Sequence, residues 1–458
     1  MFLPNTQKRG NMSYENYSID ILHFQDKTLE IKDVSKESIS GIQTTIIKVA
    51  KPKDCSSCIH CGSIDIIIKD YYYRTIKYLD IAGHNCLIKY KQRRYFCKSC
   101  KKTFNEPSNL VDKYSIISNA VKIKSLEECR IKQSFKDVGQ RLHISTTTVI
   151  NTFSDHITSS RKRLTEIICF DEFKASTAEG TYAFILADPL SGDILDILPS
   201  RKQDYLYDYF NKVPDTERYS VKYVVTDLFE SYRTIAKNLF WKSIHIADRF
   251  HWIRLATEAL NNLRIRVMNN YKKLGEDVFK GKYNKYSTYY YMLKKYAKLL
   301  EINRYNREQS YFERVSTVYY LSKKEMTTDD IIEYLVNNDG DLEEGYHLLQ
   351  DLYKISRLST YETARNNILE WIEKVKNSSY QIKEFNSVIL TYKSWIKEIT
   401  NSFIINPTTN KRMTNGFIEG KNNYCKVIKR IGFGYKDFDT FRAKILYSNA
   451  KEKIPYKY

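Results

Sequence analysis

Residues 167–173 read IICFDEF, a short apolar run that ends on the carboxyl groups of Asp171 and Glu172. Three later segments have the same character: TYAFILADPLSGDILDIL (181–198), VKYVVTD (221–227) and IHIAD (244–248). Short apolar runs rich in β-branched residues are typical of buried strands. The sequence therefore predicts a sheet whose strands carry acidic residues to one edge.

Helical patterns separate the later strands. DYLYDYFNKV (204–213) and ESYRTIAKNLF (230–240) repeat apolar residues at three-and-four spacing. Three consecutive strands followed by alternating helices and strands predict a mixed sheet with helices on its faces, in the order of the ribonuclease-H-like fold. A carboxylate cluster on such a sheet suggests two-metal phosphoryl transfer.

Asp171 and Asp227 are the leading candidate ligands for divalent cations, because their strands should be neighbours and Mg²⁺ prefers oxygen ligands. Asp248 is the main rival of Asp227, and with His251 it forms an Asp-x-x-His unit. Two other acids are less well placed: Glu172, expected on the opposite face of its strand, and Asp188, at a hairpin turn.

A helix is predicted over residues 415–431, NGFIEGKNNYCKVIKRI. At about 100° per residue, Glu419 shares a face with Asn415, Asn422, Asn423, Lys426 and Arg430. The opposite face, expected to pack on the helices of the sheet, carries Phe417, Tyr424, Ile428 and Ile431. Gly416 and Gly420 each lower helix propensity by about 1 kcal/mol relative to Ala. That cost favours a close approach of DNA or metal over an ordinary solvated face, so Glu419 is the third candidate acid.

The chain has 458 residues and a net charge of +20. This length allows several domains, and the charge favours a polyanionic partner, nucleic acid before membrane, over a merely solubilising surface. No apolar run approaches the roughly 20 residues that span a bilayer, and the first residues lack the apolar core of a signal peptide. We expect a cytoplasmic protein with no membrane partner.

Four of the nine cysteines form two Cys-x-x-Cys pairs, the pattern of a structural zinc site: Cys58, Cys61, Cys97 and Cys100. Cys55 and Cys58 also have this spacing, but Gly62 favours Cys58 with Cys61 because it relieves a tight turn. Strand-like segments between the pairs predict a zinc ribbon. Arg93 and Arg94, beside the second pair, are candidate phosphate contacts, although a solvated basic surface would look the same.

Residues 134–157, SFKDVGQRLHISTTTVINTFSDHI, predict a short helix, a turn at residues 143–145 and a second helix capped by Ser145. The apolar positions suit a helix-turn-helix: Val138, Leu142, Ile144, Val149 and Ile150. The exposed residues Thr146, Thr147 and Thr148 would begin the recognition helix. A helical linker is the alternative, and the neighbouring zinc ribbon and the charge favour DNA binding.

Residues 269–406 carry helical spacing with no comparable strand pattern, which predicts an all-α insertion in the sheet domain. The fold class is therefore multidomain α+β. The predicted divisions are an N-terminal β-hairpin segment (1–50), the zinc-binding ribbon (51–110), the helix-turn-helix domain (111–162), the catalytic domain in two parts (163–268 and 407–458) and the α-helical insertion (269–406).

Four motifs resemble the DDE transposases of bacterial insertion sequences, in the ISL-three family. They are CFDEF, VVTDLFESY, HIADRFHWIRLATEALNNLR and TNGFIEGKNNYCKVIKRIGFGYKDFDTFRAKIL. The resemblance implies Asp171, Asp227 and Glu419 as catalytic acids that hold two Mg²⁺ or Mn²⁺ ions. It also implies a supporting role for Asp248 and His251, and structural zinc in the ribbon.

The resemblance further implies double-stranded DNA as partner, both the terminal inverted repeats of the element and its target. A homodimer or higher oligomer on DNA is expected, in the bacterial cytoplasm at the nucleoid, with Lys426 and Arg430 as further DNA contacts. A DNA-binding regulator that no longer cuts is one alternative, and a structure-specific nuclease is another. The segment DEFKASTAEGTYAF is less basic than is usual after the first acid, which bears on substrate contacts.

Overall fold

The computed structural model describes residues 24, 26, 28–53, 55–81, 83–158, 160–276, 284–435 and 437–450. The chain divides into two compact units. The first comprises Met1–Ser160 and Ile428–Tyr458, and the second Arg161–Val427. Among the described residues, no helix combines the length and the apolar character needed to cross a membrane.

The first unit contains a five-stranded sheet. Its strands are β1 (Glu30–Ile39), β2 (Ile42–Ala50), β3 (Ile66–Ile81), β4 (His84–Cys97) and β5 (Thr103–Asn105). They are ordered β1-β2-β4-β3, with β5 on β4, and only the β2–β4 pair is parallel. β1 and β2 form the hairpin predicted near the N-terminus. Residues 1–23 of the predicted N-terminal segment lie outside the described part of the chain.

Alternation along β3 and β4 builds the core of this sheet. Ile76 pairs with Ile88, and Arg74 with Tyr90, so that each strand turns its apolar residues to one side. Ile76, Ile88 and Tyr90 are fully buried, whereas Tyr73 remains exposed. The long antiparallel pair therefore has one packed face and one face in contact with solvent.

Three helices follow: α1 (Asn119–Glu128), α2 (Phe135–Leu142) and α3 (Thr146–His156). Ser134 and Asp137 form a capping box at the start of α2, and the Ser145 side chain accepts a hydrogen bond from the Thr148 amide at the start of α3. His143, between the two helices, has a φ of 52°. The predicted cap at Ser145 and the predicted turn between the two helices are thus present.

The sequence assigned residues 407–458 to the catalytic domain, but the last helix belongs to the first unit instead. In α16 (Phe438–Asn449), Tyr447 and Ala443 join the buried cluster of Val138, Val149 and Phe153. The buried Lys444 ammonium donates to the backbone oxygens of Cys129 and Ile131. Apolar packing and these bonds tie the C-terminal helix to α1–α3.

The second unit contains a second five-stranded sheet, ordered β10-β9-β6-β7-β8. Its strands are β6 (Ile167–Thr177), β7 (Gly180–Asp188), β8 (Asp193–Leu198), β9 (Tyr223–Thr226) and β10 (Ile244–Ala247). β6, β7 and β8 form an antiparallel meander, while β9 and β10 run parallel to β6. The predicted order of strands along the chain, three consecutive strands and then two separated by a helix, is confirmed.

Four helices accompany this sheet: α4 (Gln203–Asn211), α5 (Asp215–Arg218), α6 (Glu230–Leu239) and α7 (Arg249–Glu276). Phe170 of β6 contacts the rings of Phe184, Phe210 and Tyr232 in the buried cluster on one face of the sheet. These large side chains account for much of the apolar area that the sheet buries.

The region predicted to be an all-α insertion is mostly helical but contains a β-hairpin. Its helices are α8 (Lys285–Lys295), α9 (Gln309–Phe312), α10 (Thr328–Val336), α11 (Gly340–Leu358), α12 (Tyr361–Lys376), α13 (Asn386–Ser394) and α14 (Ile396–Asn401). β11 (Val315–Val318) pairs antiparallel with β12 (Lys324–Thr327). The all-α prediction was wrong here because Val315, Thr317 and Val318 are β-branched, which favours extended backbone.

After the insertion, the described residues form a two-stranded hairpin and a helix. Strands β13 (Ile405–Asn406) and β14 (Lys411–Arg412) precede α15 (Gly416–Ile431). This helix begins one residue later than predicted from the sequence and ends at the predicted residue.

Candidate functional site

Two of the predicted acids meet at one edge of the second sheet. Cys169 is the last residue of β6 that pairs with β9, and Asp171 lies two residues beyond it on β6. Asp227 directly follows β9. Carboxylate oxygens of Asp171, Asp227 and Glu172 all lie within 4.8 Å of one another. Such a group of hard oxygen donors fits a divalent cation of the Mg²⁺ type.

Burial and the nearby like charges raise the pKa values of these carboxyl groups. Burial raises the pKa of Asp171 to about 6. Burial, reinforced by the charges of Glu172 and Asp171, raises the pKa of Asp227 to about 8. A cation between them would relieve both effects, since it replaces the lost solvation and screens the repulsion.

Glu172 was expected on the opposite face of its strand, and this prediction was wrong for its carboxylate. β9 pairs with β6 only as far as Cys169. Beyond this residue no neighbouring strand blocks that side of β6, so a side chain can pass from one face of the sheet to the other. The longer Glu side chain therefore reaches the acids at the edge. Its oxygens form an ion pair with Arg201 and accept a 2.9 Å hydrogen bond from the Tyr232 hydroxyl.

Asp248, the rival of Asp227, lies outside the group of Asp171, Glu172 and Asp227 that the described residues form. It is buried, and its Oδ1 accepts a 2.8 Å hydrogen bond from the Asn415 amide. The His251 Nε2 atom lies 4.0 Å from its Oδ2. Asp248 thus anchors the chain at the start of α15, and His251 stands beside it.

α15 contacts Asp171 through the side-chain amide of Asn422, a residue that was not predicted to be part of the site. Asn422 Nδ2 donates a 2.9 Å hydrogen bond to Asp171 Oδ2, and Asn415 Nδ2 donates to the Phe170 carbonyl at 3.0 Å. Both asparagines are buried. The signal was present in the sequence, because both lie on the Glu419 face of the predicted helix.

The packing face of α15 differs from the prediction. Ile428 is buried as predicted, but the other predicted contacts, Phe417, Tyr424 and Ile431, are half-buried. The other buried residues of the helix are Ile418, Asn422 and Cys425. Glu419 is exposed and is not part of the acid group. It lies three residues before Asn422, about 4.5 Å along the helix axis and on a neighbouring part of the surface.

The four predicted zinc ligands come together in the first unit. Cys58 Sγ lies 3.7 Å from Cys100 Sγ, and Cys61 Sγ lies 3.7 Å from Cys97 Sγ. Four sulfurs at Zn–S distances of about 2.3 Å in a tetrahedron are about 3.8 Å apart, so the four thiols fit zinc. The chain therefore has a Cys₄ zinc ribbon.

Details of the two turns explain this choice of ligands. Gly62 has a φ of 71°, and its amide donates to the Cys58 carbonyl at 2.9 Å. The Cys100 amide, which donates to Cys97 Sγ, lowers the pKa of the Cys97 thiol to about 6. Cys55 is not part of the four-thiol group, and its sulfur donates to the Ser57 carbonyl instead.

The predicted DNA contacts have varied surroundings. The Arg93 guanidinium is turned inward, where it binds Glu106 and the carbonyls of Lys51 and Pro52, so its expected contact with phosphate is not supported. Arg94 is paired with Asp70 at the surface. The five other positions divide by exposure: Thr147 and Arg430 are exposed, whereas Lys426 and, against the prediction, Thr146 and Thr148 are half-buried.

Comparisons with known proteins match both units. Residues 168–445 match a family described as transposase, of the DDE type and ISL-three group. Residues 55–100 match the zinc-finger of transposase IS204/IS1001/IS1096/IS1165. The two matches include the three predicted catalytic acids and the four cysteines of the ribbon.

Two relatives show how far the similarity extends. The chain is 20% identical over 396 residues to the transposase for insertion sequence element IS1001 of Bordetella parapertussis, with 85% of this chain and 87% of that protein covered. It is 23% identical over 140 residues to an ATP-dependent protease of Lactococcus lactis subsp. lactis, of which it spans 39%. Because the transposase family matches well over half of the sequence, the chain belongs to the ISL-three family of DDE transposases, enzymes that cleave DNA and transfer its strands.

Proposed function

We propose that this transposase binds the terminal inverted repeats of its own insertion sequence and catalyses their metal-dependent cleavage and joining to target DNA. The observation that carries this proposal is the group of Asp171 and Asp227 carboxylates at one sheet edge, inside the region that matches the family. Regulation without cleavage would not require two half-buried, adjacent acids with raised pKa values.

The sheet of the second unit is proposed to be ribonuclease-H-like. The order β8-β7-β6-β9-β10 supports this assignment, because an antiparallel meander is followed by two strands parallel to its first member. In this arrangement the first and fourth strands are neighbours. Their acids, Asp171 and Asp227, can therefore bind one pair of ions.

Asp171, Asp227 and Glu419 are the proposed ligands of two Mg²⁺ or Mn²⁺ ions. When bound, such ions activate the attacking oxygen and stabilise the leaving oxygen of a phosphodiester. Glu419 would complete the site, since Asn422 already brings its helix to Asp171. Glu172 is a poorer candidate because Arg201 and Tyr232 already occupy its oxygens.

Recognition of the DNA ends is assigned to the zinc ribbon and the helix-turn-helix. The recognition helix would be α3, whose exposed first turn carries Thr147. A net charge of +20 supports strong, salt-dependent binding to the phosphate backbone. Since two ends must be held together for transfer, we propose a homodimer or higher oligomer on DNA.

Cleavage by variants of the acids tests this proposal. Asp171→Asn, Asp227→Asn and Glu419→Gln should each reduce Mg²⁺-dependent cleavage by at least about 100-fold, because each removes charge stabilisation at the reacting phosphate. The substrate is a labelled duplex made from the DNA on either side of the reading frame. Binding of this duplex, measured by a mobility shift, should persist in all three variants.

Two control variants test whether the loss of cleavage is specific to the proposed ligands. Asp204→Asn, at an exposed position in the first turn of α4, should cleave as the wild type does. Glu172→Gln should retain more activity than Glu419→Gln. Full cleavage by Asp171→Asn or Asp227→Asn would refute the proposed active site. If both of these variants lose cleavage, but Glu172→Gln loses it too and Glu419→Gln keeps it, Glu172 replaces Glu419 as the third acid.

A further inference from the structure

Phe433 is 97% exposed in the turn between α15 and α16. The local sequence is Gly432-Phe433-Gly434-Tyr435. A single exposed apolar side chain is ordinary on a protein surface. Here the backbone and the support beneath the turn distinguish Phe433 from such a residue.

The backbone of this turn places a bulky residue where glycine is favoured. Phe433 has a φ of 50°, and its amide donates to the Arg430 carbonyl at the end of α15. The left-handed position that follows a helix is usually taken by glycine, which adopts it without steric cost. Gly432 and Gly434 flank the position, yet an aromatic residue occupies it. Strain of this kind is retained where the side chain serves a purpose.

The turn has a firm base within the first unit. The Tyr435 ring covers Gly432 so closely that an added Cβ would lie 2.6 Å from its Cε2 atom. The same ring contacts Phe135 of α2 at 6.0 Å and Phe441 of α16 at 5.2 Å between centroids. Phe433 is therefore held outward by the helices of the helix-turn-helix unit.

The charge of the chain, and not of the turn alone, selects the kind of partner. Charged side chains of both signs lie in the segments around the turn: Lys136, Asp137, Lys429, Arg430, Asp437 and Asp439. The chain as a whole has a net charge of +20, which a second copy would repel and which DNA would neutralise. An exposed aromatic ring on so basic a chain thus suits a polyanion that also offers flat apolar faces, as the bases of DNA do.

We propose that Phe433 is a wedge that stacks against a base of the DNA held by this unit. The inference rests on the proposed function, because it requires that the chain binds the element's DNA. The base face could belong to an opened step of the duplex or to an unpaired nucleotide at a cut end, and in both cases the ring replaces a lost stacking contact.

The test uses the full-length protein and a duplex from the DNA flanking the reading frame, with 2-aminopurine placed at successive positions. Wild type should raise the fluorescence at one position, because unstacking relieves the quenching of this base. Phe433→Ala should abolish the rise and weaken binding by about 10-fold, within the range expected for one base–aromatic stack. Phe433→Trp should restore both.

Tyr361→Ala is the matched control, since this aromatic residue is 45% exposed at the start of α12, far from the turn in sequence. It should behave as wild type does. Phe433→Ala should also melt at or above the wild-type temperature, since the exposed ring buries little area. The rise in an intact duplex assigns an opened step, whereas a change seen only as a fall at a frayed end, where the base is already unstacked before the ring covers it, assigns an unpaired base.

Bound DNA whose fluorescence is unchanged at every position would overturn the wedge while leaving the proposed function intact. Failure of wild type to bind this DNA at all would refute the proposed function instead. A second copy as partner would appear as a DNA-free dimer that Phe433→Ala dissociates in sedimentation, and this result would also overturn the wedge.

Discussion

Asn422 fixes one carboxylate of the acid group. Its Nδ2 donates to Asp171 Oδ2 at 2.9 Å, while the Glu172 amide donates to Oδ1 at 2.8 Å. Among the described residues the Asn422 Oδ1 atom is buried without a hydrogen-bond partner. A buried acceptor of this kind lacks an interaction that a metal-bound water could supply. We infer that Asn422 orients Asp171 for ligation.

Asn422→Ala should slow cleavage about 10–100-fold, the range seen when a partner of a metal ligand is removed. Asn422→Asp should be slower still, because it adds a carboxyl group to a buried acidic group. Single-turnover cleavage over a range of Mg²⁺ concentrations measures both effects. Asn423→Ala, at the exposed neighbouring position, is the control. Equal rates in the Ala variants of Asn422 and Asn423 would show that the hydrogen bond has no role.

Sequence reasoning reached this residue only in part. Helical periodicity places Asn422 on the same face as Glu419, but it does not say which face is packed. The polar amide is buried because it finds Asp171, an acid more than 200 residues away in sequence. Glu172 shows the same limit, since strand alternation could not reveal that β9 ends before reaching it.

At the scale of elements, the two cysteine turns of the ribbon depend on one metal. The four thiols are held in the first unit by the turn before β3, by the end of β4 and by the turn that follows β4. Structural zinc contributes folding free energy of about 10–16 kcal/mol in small peptide sites, so its loss should unfold the ribbon. The helix-turn-helix has a buried cluster of its own.

The double variant Cys58→Ser, Cys97→Ser should therefore contain no zinc and bind the end duplex more weakly than wild type. Cys55→Ser should keep its zinc, because the Cys55 sulfur lies outside the four-thiol group. Elemental analysis of the purified proteins and mobility shifts check the two effects. Normal end binding by the zinc-free variant would show that the ribbon does not contribute to recognition.

Local signals predicted many of the elements well. Ser145 and the residues before α3 specify a cap and a turn through short-range hydrogen bonds, so the helix-turn-helix could be placed from sequence. β11 and β12 were missed because each has only four residues, too few to outweigh the surrounding helical pattern. The helical spacing of residues 269–406 also did not show that the stretch after residue 380 divides into α13 and α14 at Trp395.

At the scale of the whole molecule, the division into two units was only partly foreseen. Sequence order suggests that the end of the chain continues the catalytic domain. Instead α16 joins the first unit, where Lys444 bonds to Cys129 and Tyr447 packs on Phe153. These contacts link residues about 300 positions apart, and no local pattern encodes them.

The central claim is that Asp171 and Asp227 hold divalent ions. Ligation requires deprotonated carboxylates, and burial raises the pKa of Asp171 to about 6 and that of Asp227 to about 8. Without metal, both acids are charged only above these values. Affinity for the ions should therefore rise as the pH increases from about 6 to about 8, and should level off above.

Calorimetric titration of the full-length protein with Mn²⁺ at pH 6 and at pH 8.5 measures this most directly. We predict binding by wild type that is stronger at pH 8.5 and releases protons at pH 6, with loss of binding in Asp171→Asn and Asp227→Asn. Asp204→Asn should match wild type. Equal Mn²⁺ binding by wild type and the Asp171→Asn and Asp227→Asn variants at pH 8.5 would contradict the claim.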